Sequence, residues 1–310
     1  MKAARVHHFG PPEAIIVEDI PVPARGAGEV LIRVKAAGVG PWDSWIRAGK
    51  SALPQPLPLT LGSDLSGVIE AVGPGVSGLA PGDEVFGVTN ARFTDAYAEY
   101  AVATAGMIAR KPSKLDDIAA ASVPVVAVTA WQALFDEAGL QAGQRVLIHG
   151  GAGNVGAYAV QLARIAGLKV LATSGSRDID YVKGLGADQV IDYATTRFED
   201  VAKDMNAVID LVGGETQTRS FGVLKPGGSL ISAVSAPDQD LAKRRGVAAR
   251  FFLVGVTTER LAALARMIDA GQLTTNVGSV LPLADARTAH EMLDGLRARP
   301  RGKIVLEVAI

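Results

Sequence analysis

Two rhythms of apolar and polar positions divide the chain. Up to about residue 110 the apolar residues fall in short runs of strand character, among them Val30–Val34, Gly67–Val72 and Asp83–Val88. Pro-Gly and Gly-Pro pairs and proline-dense stretches such as "LPQPLPLTLG" punctuate these runs, which predicts an all-β unit with tight turns and no helix longer than a few turns. From about Ala119, apolar β-branched runs alternate with segments whose apolar positions recur every three or four residues. The strands read as Arg145–His149, Lys169–Thr173, Gln189–Asp192, Ala207–Leu211, Ser229–Ala233 and Phe251–Val256. Between them, helices are expected near 154–166, 178–185, 196–204, 215–224 and 237–246. Such alternation builds a parallel sheet with helices on both faces, and six strands make it doubly wound. A helix over 258–270, the run Val280–Leu283, a helix over 284–298 and a last strand Lys303–Val308 form a tail that can return to the first unit. The expected segments are 1–122, 123–265 and 266–310.

One stretch carries chemistry. His149-Gly150-Gly151-Ala152-Gly153-Asn154-Val155-Gly156 follows the apolar run Val146-Leu147-Ile148, and its residues 151–156 fit G-x-G-x-x-G. A strand precedes it, and a helical pattern follows that ends at Gly167, a natural C′ glycine. In that setting bare backbone lets main-chain amides approach a pyrophosphate, while the helix start supplies a partial positive charge. The α/β fold expected is therefore a Rossmann sheet that binds a dinucleotide. The end of its second strand selects the dinucleotide, because NAD sites usually place an acid there on the ribose 2′-hydroxyl. This chain has Thr173-Ser174-Gly175-Ser176-Arg177 instead. Hydroxyls plus an arginine suit a 2′-phosphate, so NADP(H) is expected over NAD(H).

Composition narrows the rest. The chain has 310 residues, 48% of them hydrophobic, enough for two cores and for an enzyme. Its 31 basic and 32 acidic side chains leave a net charge of −1 without a dense basic cluster, so nucleic acid is not an expected partner. No apolar leader and no 18-residue charge-free segment occur, so neither export nor a membrane is expected, and the expected setting is soluble and cytoplasmic. With no cysteine there is no disulfide, no thiol nucleophile and no cysteine-bound metal.

Several stretches together carry a resemblance: "AAGVGPWDSWIRAG" (36–49), "LGSDLSGVIEAVG" (61–73), "VTAWQAL" (128–134), the glycine turn, "LGADQVIDY" (185–193), "LKPGG" (224–228) and "RGKIVLEV" (301–308). They resemble the medium-chain dehydrogenase/reductase superfamily and, within it, the zinc-free quinone oxidoreductases of the zeta-crystallin type. The resemblance implies a GroES-like catalytic domain, split in sequence around the Rossmann domain. It also implies an active site in the cleft between the two and a homodimer paired through the sheet edge near Phe251–Val254. The zinc-binding relatives place cysteine, histidine and cysteine at positions matching Gly40, Ser63 and, approximately, Val125, none of which can hold the metal. The four histidines, His7, His8, His149 and His290, are scattered and read as core or surface residues. Without a Lewis acid, the natural chemistry is hydride delivery to an already electron-poor carbon, such as a quinone or the β-carbon of an enone.

The site residues follow partly from the resemblance. Zinc-free relatives carry an asparagine and a tyrosine at positions matching Gly40 and Trp45, so this chain lacks their proposed proton donor. Trp42 and Trp45 can form an aromatic wall, and Asp43 either fixes the loop or touches substrate. Trp45, Asp43 and Thr129, the last expected beside the nicotinamide, are the catalytic candidates. Asp64 reads as structural. The cofactor set is Thr129, the turn residues Gly150, Gly151, Ala152, Gly153, Asn154, Val155 and Gly156, the Ser174, Gly175, Ser176 and Arg177 run, and Tyr193. Val212 joins this set, and the resemblance adds Phe252 and Val254 on the sixth strand and Lys303 at the cofactor's other end. Two other functions fit the same motifs. An enoyl-thioester reductase would use a basic entrance, for which Arg47, Lys50, Arg92, Arg244 and Arg245 are candidates. An NADPH-binding redox sensor or crystallin-like protein would have negligible turnover.

Overall fold

The computed structural model describes residues Met1–Val308. The last two residues of the expected 266–310 segment therefore lie outside the described residues. In chain order the first eight strands are β1 (Lys2–Val6), β2 (Ile16–Asp19), β3 (Glu29–Val39), β4 (Leu59–Thr60), β5 (Asp64–Val72), β6 (Glu84–Val88), β7 (Tyr100–Thr104) and β8 (Ile108–Arg110). Six more follow: β9 (Arg145–Ile148), β10 (Lys169–Ser174), β11 (Gln189–Asp192), β12 (Met205–Asp210), β13 (Leu224–Ser232) and β14 (Ala248–Phe251). The chain closes with β15 (Val277–Pro282) and β16 (Lys303–Glu307).

Two compact units result, one from Met1–Val125 with the chain from Val256 onward, the other from Val126–Gly255. The return comes ten residues earlier than the expected 265/266 boundary. The Thr258–Asp269 helix begins with Thr258 Oγ1 donating to the carbonyl of Ile108 at 2.7 Å, and its buried Leu261, Leu264 and Ile268 lie along one face. It thus belongs with β8 of the first unit rather than with the parallel sheet.

The first unit is β-rich, as its turn-punctuated pattern predicts. Its larger sheet runs β15-β16-β3-β5-β6-β8, with β7 pairing on β3, and a smaller sheet runs β2-β1-β4. Long β3 lies at the centre of this sheet, with Val30, Ile32, Val34, Ala36 and Ala37 fully buried and Glu29, Arg33 and Lys35 partly buried. The tail does return, since β16 pairs antiparallel with β3 through Ile304–Val39 and Leu306–Ala37.

The second unit is a six-stranded parallel sheet in the order β11-β10-β9-β12-β13-β14, the doubly wound 3-2-1-4-5-6 arrangement. Central β9 buries Val146, Leu147 and Ile148 completely, as a strand covered by helices on both faces must. The order reverses between β9 and β12, so the crevice beyond the carboxyl end of β9 lies at the switch point. The helices match the expected ones but are shorter, Phe198–Val201 and Gly214–Ser220 most of all.

The sixth strand is displaced. It was expected over Phe251–Val256, but pairing with β13 runs from Ser229–Ala248 to Ser232–Phe251 and stops there. Phe252 and Val254 therefore lie in the following loop rather than on the strand. Gln132 satisfies that loop's backbone, accepting from the Gly255 amide at 2.9 Å and donating to the Leu253 carbonyl at 3.4 Å. A run of apolar residues that reads as a strand is here a loop anchored by one glutamine amide.

Candidate active site

In the second unit, β9 feeds directly into the glycine turn. Gly150 sits at φ +74°, a conformation that excludes most side chains, and its amide donates to Thr173 Oγ1 at 3.1 Å. The Gly151 amide donates to the Thr173 carbonyl at 2.8 Å, tying the turn to β10. A Cβ on Gly156 would stand 2.1 Å from the Gly150 carbonyl oxygen, and one on Gly151 would stand 3.0 Å from the Ala172 Cβ. These glycines are required by close approach, not only by turning. The Asn154–Ile165 helix starts at Gly153 with no side chain capping it. Its first amides are thus left for an anion, and with the absent Cβ atoms they form a cradle that fits a pyrophosphate.

Beyond β10 lies the stretch expected to choose between the two nucleotides. Ser174 is buried, with its hydroxyl donating to the Gly175 carbonyl at 3.3 Å. Ser176 donates to Asp192 Oδ2 at 2.6 Å, which with the Ala194 amide lowers that carboxyl's pKa. Tyr193 stands 68% exposed, and its hydroxyl lies 3.1 Å from where a Cβ on Gly175 would be. Arg177 is exposed in the short turn Ser176–Asp178 and makes no ion pair or side-chain hydrogen bond among the described residues. The guanidinium is not taken up by neighbouring Asp178 or Asp180.

A device that the sequence reading missed shapes the opposite side of the turn. Fully buried Asp210, the last residue of β12, accepts from the Val212 and Gly213 amides through Oδ1 and from Gln217 and Ser232 through Oδ2. These four bonds fix the turn so that Val212 stays half-exposed, 3.4 Å from where a Cβ on Gly150 would stand. Val212 is thereby placed against the glycine turn. Thr129 is buried in the Pro124–Trp131 helix, and His149 lies between Thr173 Oγ1 at 3.2 Å and Ser220 Oγ at 2.9 Å. Burial brings the His149 pKa down to about 4. It is a neutral core residue, as expected.

The first unit gathers the remaining candidates around the Pro41–Arg47 helix. Asp43 is fully buried and closes the helix start, its Oδ2 accepting from the Gly40 amide and from the Tyr97 hydroxyl, both at 2.8 Å. Its other oxygen has no hydrogen-bond partner among the described residues. Burial raises its pKa to about 7, against the opposing pull of the Gly40 amide, Lys303 and Tyr97. Trp42 lays its ring against Gly40, where a Cβ would stand 2.2 Å from the nearest ring atom, and donates through Nε1 to Ser63 Oγ at 3.2 Å. Trp45 is half-exposed on the same helix.

Lys303 was expected at the far end of the cofactor, yet it is only 1% exposed. Its Nζ lies 2.7 Å from Oδ2 of fully buried Asp64 and 4.4 Å from the centre of a Trp42 ring, a cation–π contact. Asp64 also accepts from the Val125 amide at 3.1 Å, so its structural reading agrees with this geometry. Burial pushes the Asp64 carboxyl up, while Lys303 and that amide pull it back. The basic entrance loses a member as well. Arg47 is 3% exposed, paired with Asp294 at 2.6 Å, and donates to His290 Nδ1 at 2.9 Å.

The donor set does not fit zinc. Gly40 has no side chain, the Ser63 hydroxyl serves the Trp42 indole, and Val125 offers only its amide, which is given to Asp64. Among the described residues no group of three or more His, Asp or Glu is placed to hold a metal ion. None of the helices described is long and apolar enough to cross a membrane.

A GroES-like β unit joined to a doubly wound sheet with a phosphate-type glycine turn at its switch point defines an α/β oxidoreductase. Two family models match, the alcohol dehydrogenase GroES-like domain over residues 26–113 and the zinc-binding dehydrogenase over 185–306. The human quinone oxidoreductase is 34% identical, the match covering 99% of this chain and 97% of the human one. Among solved structures, the quinone oxidoreductase of Coxiella burnetii superposes with a TM-score of 0.92 at 35% identity, covering 100% of this chain and 99% of its own. The Escherichia coli quinone oxidoreductase complexed with NADPH gives 0.88 at 25% identity, covering 98% and 100%. The chain belongs to the quinone oxidoreductase family of the medium-chain dehydrogenase/reductases. The second model's description mentions zinc, but the residues of this chain at the ligand positions do not supply it a site.

Proposed function

We propose that the chain is an NADPH-dependent, zinc-independent reductase that transfers a hydride to quinones or α,β-unsaturated carbonyl compounds. The observation that carries this reading is the uncapped Asn154–Ile165 helix start over the glycine cradle, with unpaired Arg177 at the end of β10. The amides of 154–156 would hold the pyrophosphate. Ser174, Ser176 and Arg177 would hold the 2′-phosphate, with Tyr193 and Val212 flanking the adenosine half. Thr129, Phe252, Val254 and Lys303 were expected toward the nicotinamide; the first three remain part of this proposal, and the ion pair of Lys303 argues against its share. When bound, the nicotinamide supplies the hydride.

The chain's own residues then need only position a flat, electron-poor acceptor and keep it dry. Trp42 and Trp45 supply apolar surface for this, while the hydrogen bonds of Asp43 to Gly40 and Tyr97 fix the helix that carries both tryptophans. Asp43 is therefore read as a positioning residue. The reduced oxygen can take its proton from water. A homodimer and a cytoplasmic setting belong to the same reading. The first is supported by β14 at the sheet edge, where Phe251 and adjacent Leu253 are exposed. Sedimentation at the dimer mass is the expected outcome, and a monomer alone would remove that part.

The reading as a whole is tested by following NADPH absorbance at 340 nm with a panel of quinones and enones, before and after exhaustive chelation. Oxidation with at least one quinone, unchanged by the chelator, is expected. Binding of NADPH with no turnover on any acceptor would favour a sensor instead.

A further inference from the structure

We propose that Asp192 is a specificity-determining residue of the nucleotide site: its carboxylate holds the Ser176 hydroxyl and opposes a 2′-phosphate, so that Arg177 carries the preference for the phosphorylated nucleotide. This role rests on the nucleotide reading above and lies wholly within the second unit. Strands β10 and β11 run parallel and end side by side, with Ser174 and Asp192 as register partners. The half-buried Asp192 side chain is fixed through both oxygens. Its Oδ1 accepts from the Ala194 amide at 3.0 Å, and its Oδ2 accepts from the Ser176 hydroxyl at 2.6 Å. The same two bonds hold the carboxyl below its ordinary range, so it is charged at neutral pH.

Both serines expected on the 2′-phosphate are thus already committed as donors. A hydroxyl has one proton to give. That of Ser174 goes to the Gly175 carbonyl at 3.3 Å, and that of Ser176 goes to Asp192. An ionised phosphate oxygen only accepts, so Ser176 can serve it only by giving up the carboxylate, which exchanges one anionic acceptor for another with little net gain. Arg177 differs, because it is exposed and pairs with no described residue. A 2′-phosphate within reach of Ser176 would also stand one hydroxyl away from the Asp192 charge. Like charges that close repel, and a half-buried setting screens the repulsion only in part. A ribose that ends in a 2′-hydroxyl meets no such repulsion. In NAD sites the acid at the end of the second strand takes that hydroxyl directly; here the acid ends the third strand and acts through Ser176.

The test titrates 2′,5′-ADP and 5′-ADP calorimetrically into the full wild-type chain, Asp192→Asn and Asp192→Ala. In Asp192→Asn the amide oxygen can keep the Ala194 bond while Nδ2 donates to Ser176 Oγ, which removes the charge and frees the serine proton for the phosphate. Asp192→Ala removes the charge and frees the serine without replacing either bond. In both variants the affinity for 2′,5′-ADP should rise about threefold to thirtyfold, while that for 5′-ADP stays within about twofold. A merely structural role for Asp192 would instead weaken both ligands together. Unchanged or weaker binding of 2′,5′-ADP to Asp192→Asn, or to Asp192→Ala should the first variant not fold, would overturn the assignment, as would an equal gain for both ligands. A wild-type chain that binds the two ligands equally, with Asp192→Asn still gaining for 2′,5′-ADP alone, would overturn the NADPH preference read above and leave the role of Asp192 standing.

Discussion

The carbonyl oxygen of Gly150 lies 2.1 Å from where a Cβ on Gly156 would stand. Backbone meets backbone there, so no side-chain movement can relieve the overlap. Gly156→Ala should therefore cost about 1 to 3 kcal/mol of stability by overpacking and weaken dinucleotide binding about tenfold or more. Gly153→Ala, whose Cβ would stand 3.2 Å from the same oxygen, should be milder on both counts. Thermal unfolding and nucleotide titration of the two variants check the order, and wild-type affinity in Gly156→Ala would contradict it.

Gly40 and Trp42 should behave as one unit. Alone, Gly40→Ala drives a methyl into the indole, and Trp42→Ala removes the ring that fills the space beside position 40. Combined, the new methyl has nothing to strike. A double-mutant cycle by urea unfolding should show a coupling of about 1 to 3 kcal/mol, with Gly40→Ala nearly free once Trp42 is alanine. Additive costs would mean the ring does not rest on Gly40.

Acid stability is expected to reflect groups of opposite sign, Asp43 on one side and His149 on the other, with His290, lowered to about 3 by burial, adding to the His149 side. The Asp43 pKa is raised to about 7 in the folded chain by burial, amid Tyr97, Lys303 and Asp64, so below pH 7 the native state holds a proton that the unfolded state releases. Its contribution to stability falls as pH rises from about 4 to 7. The His149 pKa is lowered to about 4 by burial, with Asp210, Arg219 and Glu199 facing it, so the unfolded state binds the extra proton. Its contribution is lost as pH falls from about 6.5 to 4. Between about pH 4.5 and 6.5 each slope approaches ~1.4 kcal/mol per pH unit, and that of Asp43 opposes those of the two histidines. Asp43→Asn should steepen the loss of stability toward acid, and His149→Asn should flatten it. Urea unfolding at pH 5 and 6.5 reads both, and parallel profiles for all three proteins would refute the assignment.

Legibility in the sequence followed the range of the interaction. The glycine turn, the alternation of strands and helices and the return of the tail are local patterns, and each reappears in the structure. The sixth strand was misplaced because Phe251–Val256 is apolar throughout, while the residue that makes it a loop, Gln132, lies more than a hundred positions earlier. The ion pair of Lys303 joins residues 239 positions apart, so "RGK" alone gives no sign that its lysine is buried. Arg47 looked like a surface charge for the same reason, since its partner Asp294 is 247 residues away. The acid at 210 could be suspected from its place at a strand end before two glycines, but its four hydrogen bonds needed the fold.

The nucleotide site is tested most directly by titrating NADPH and NADH calorimetrically into the wild-type chain and Arg177→Ala. A charged hydrogen-bonding partner contributes about 1.5 to 3 kcal/mol, so the wild-type chain should prefer NADPH by about tenfold to a hundredfold. Arg177→Ala should lose most of that preference while binding NADH as before. Equal affinity of the wild-type chain for the two nucleotides, or a preference for NADPH that survives the substitution intact, would contradict it.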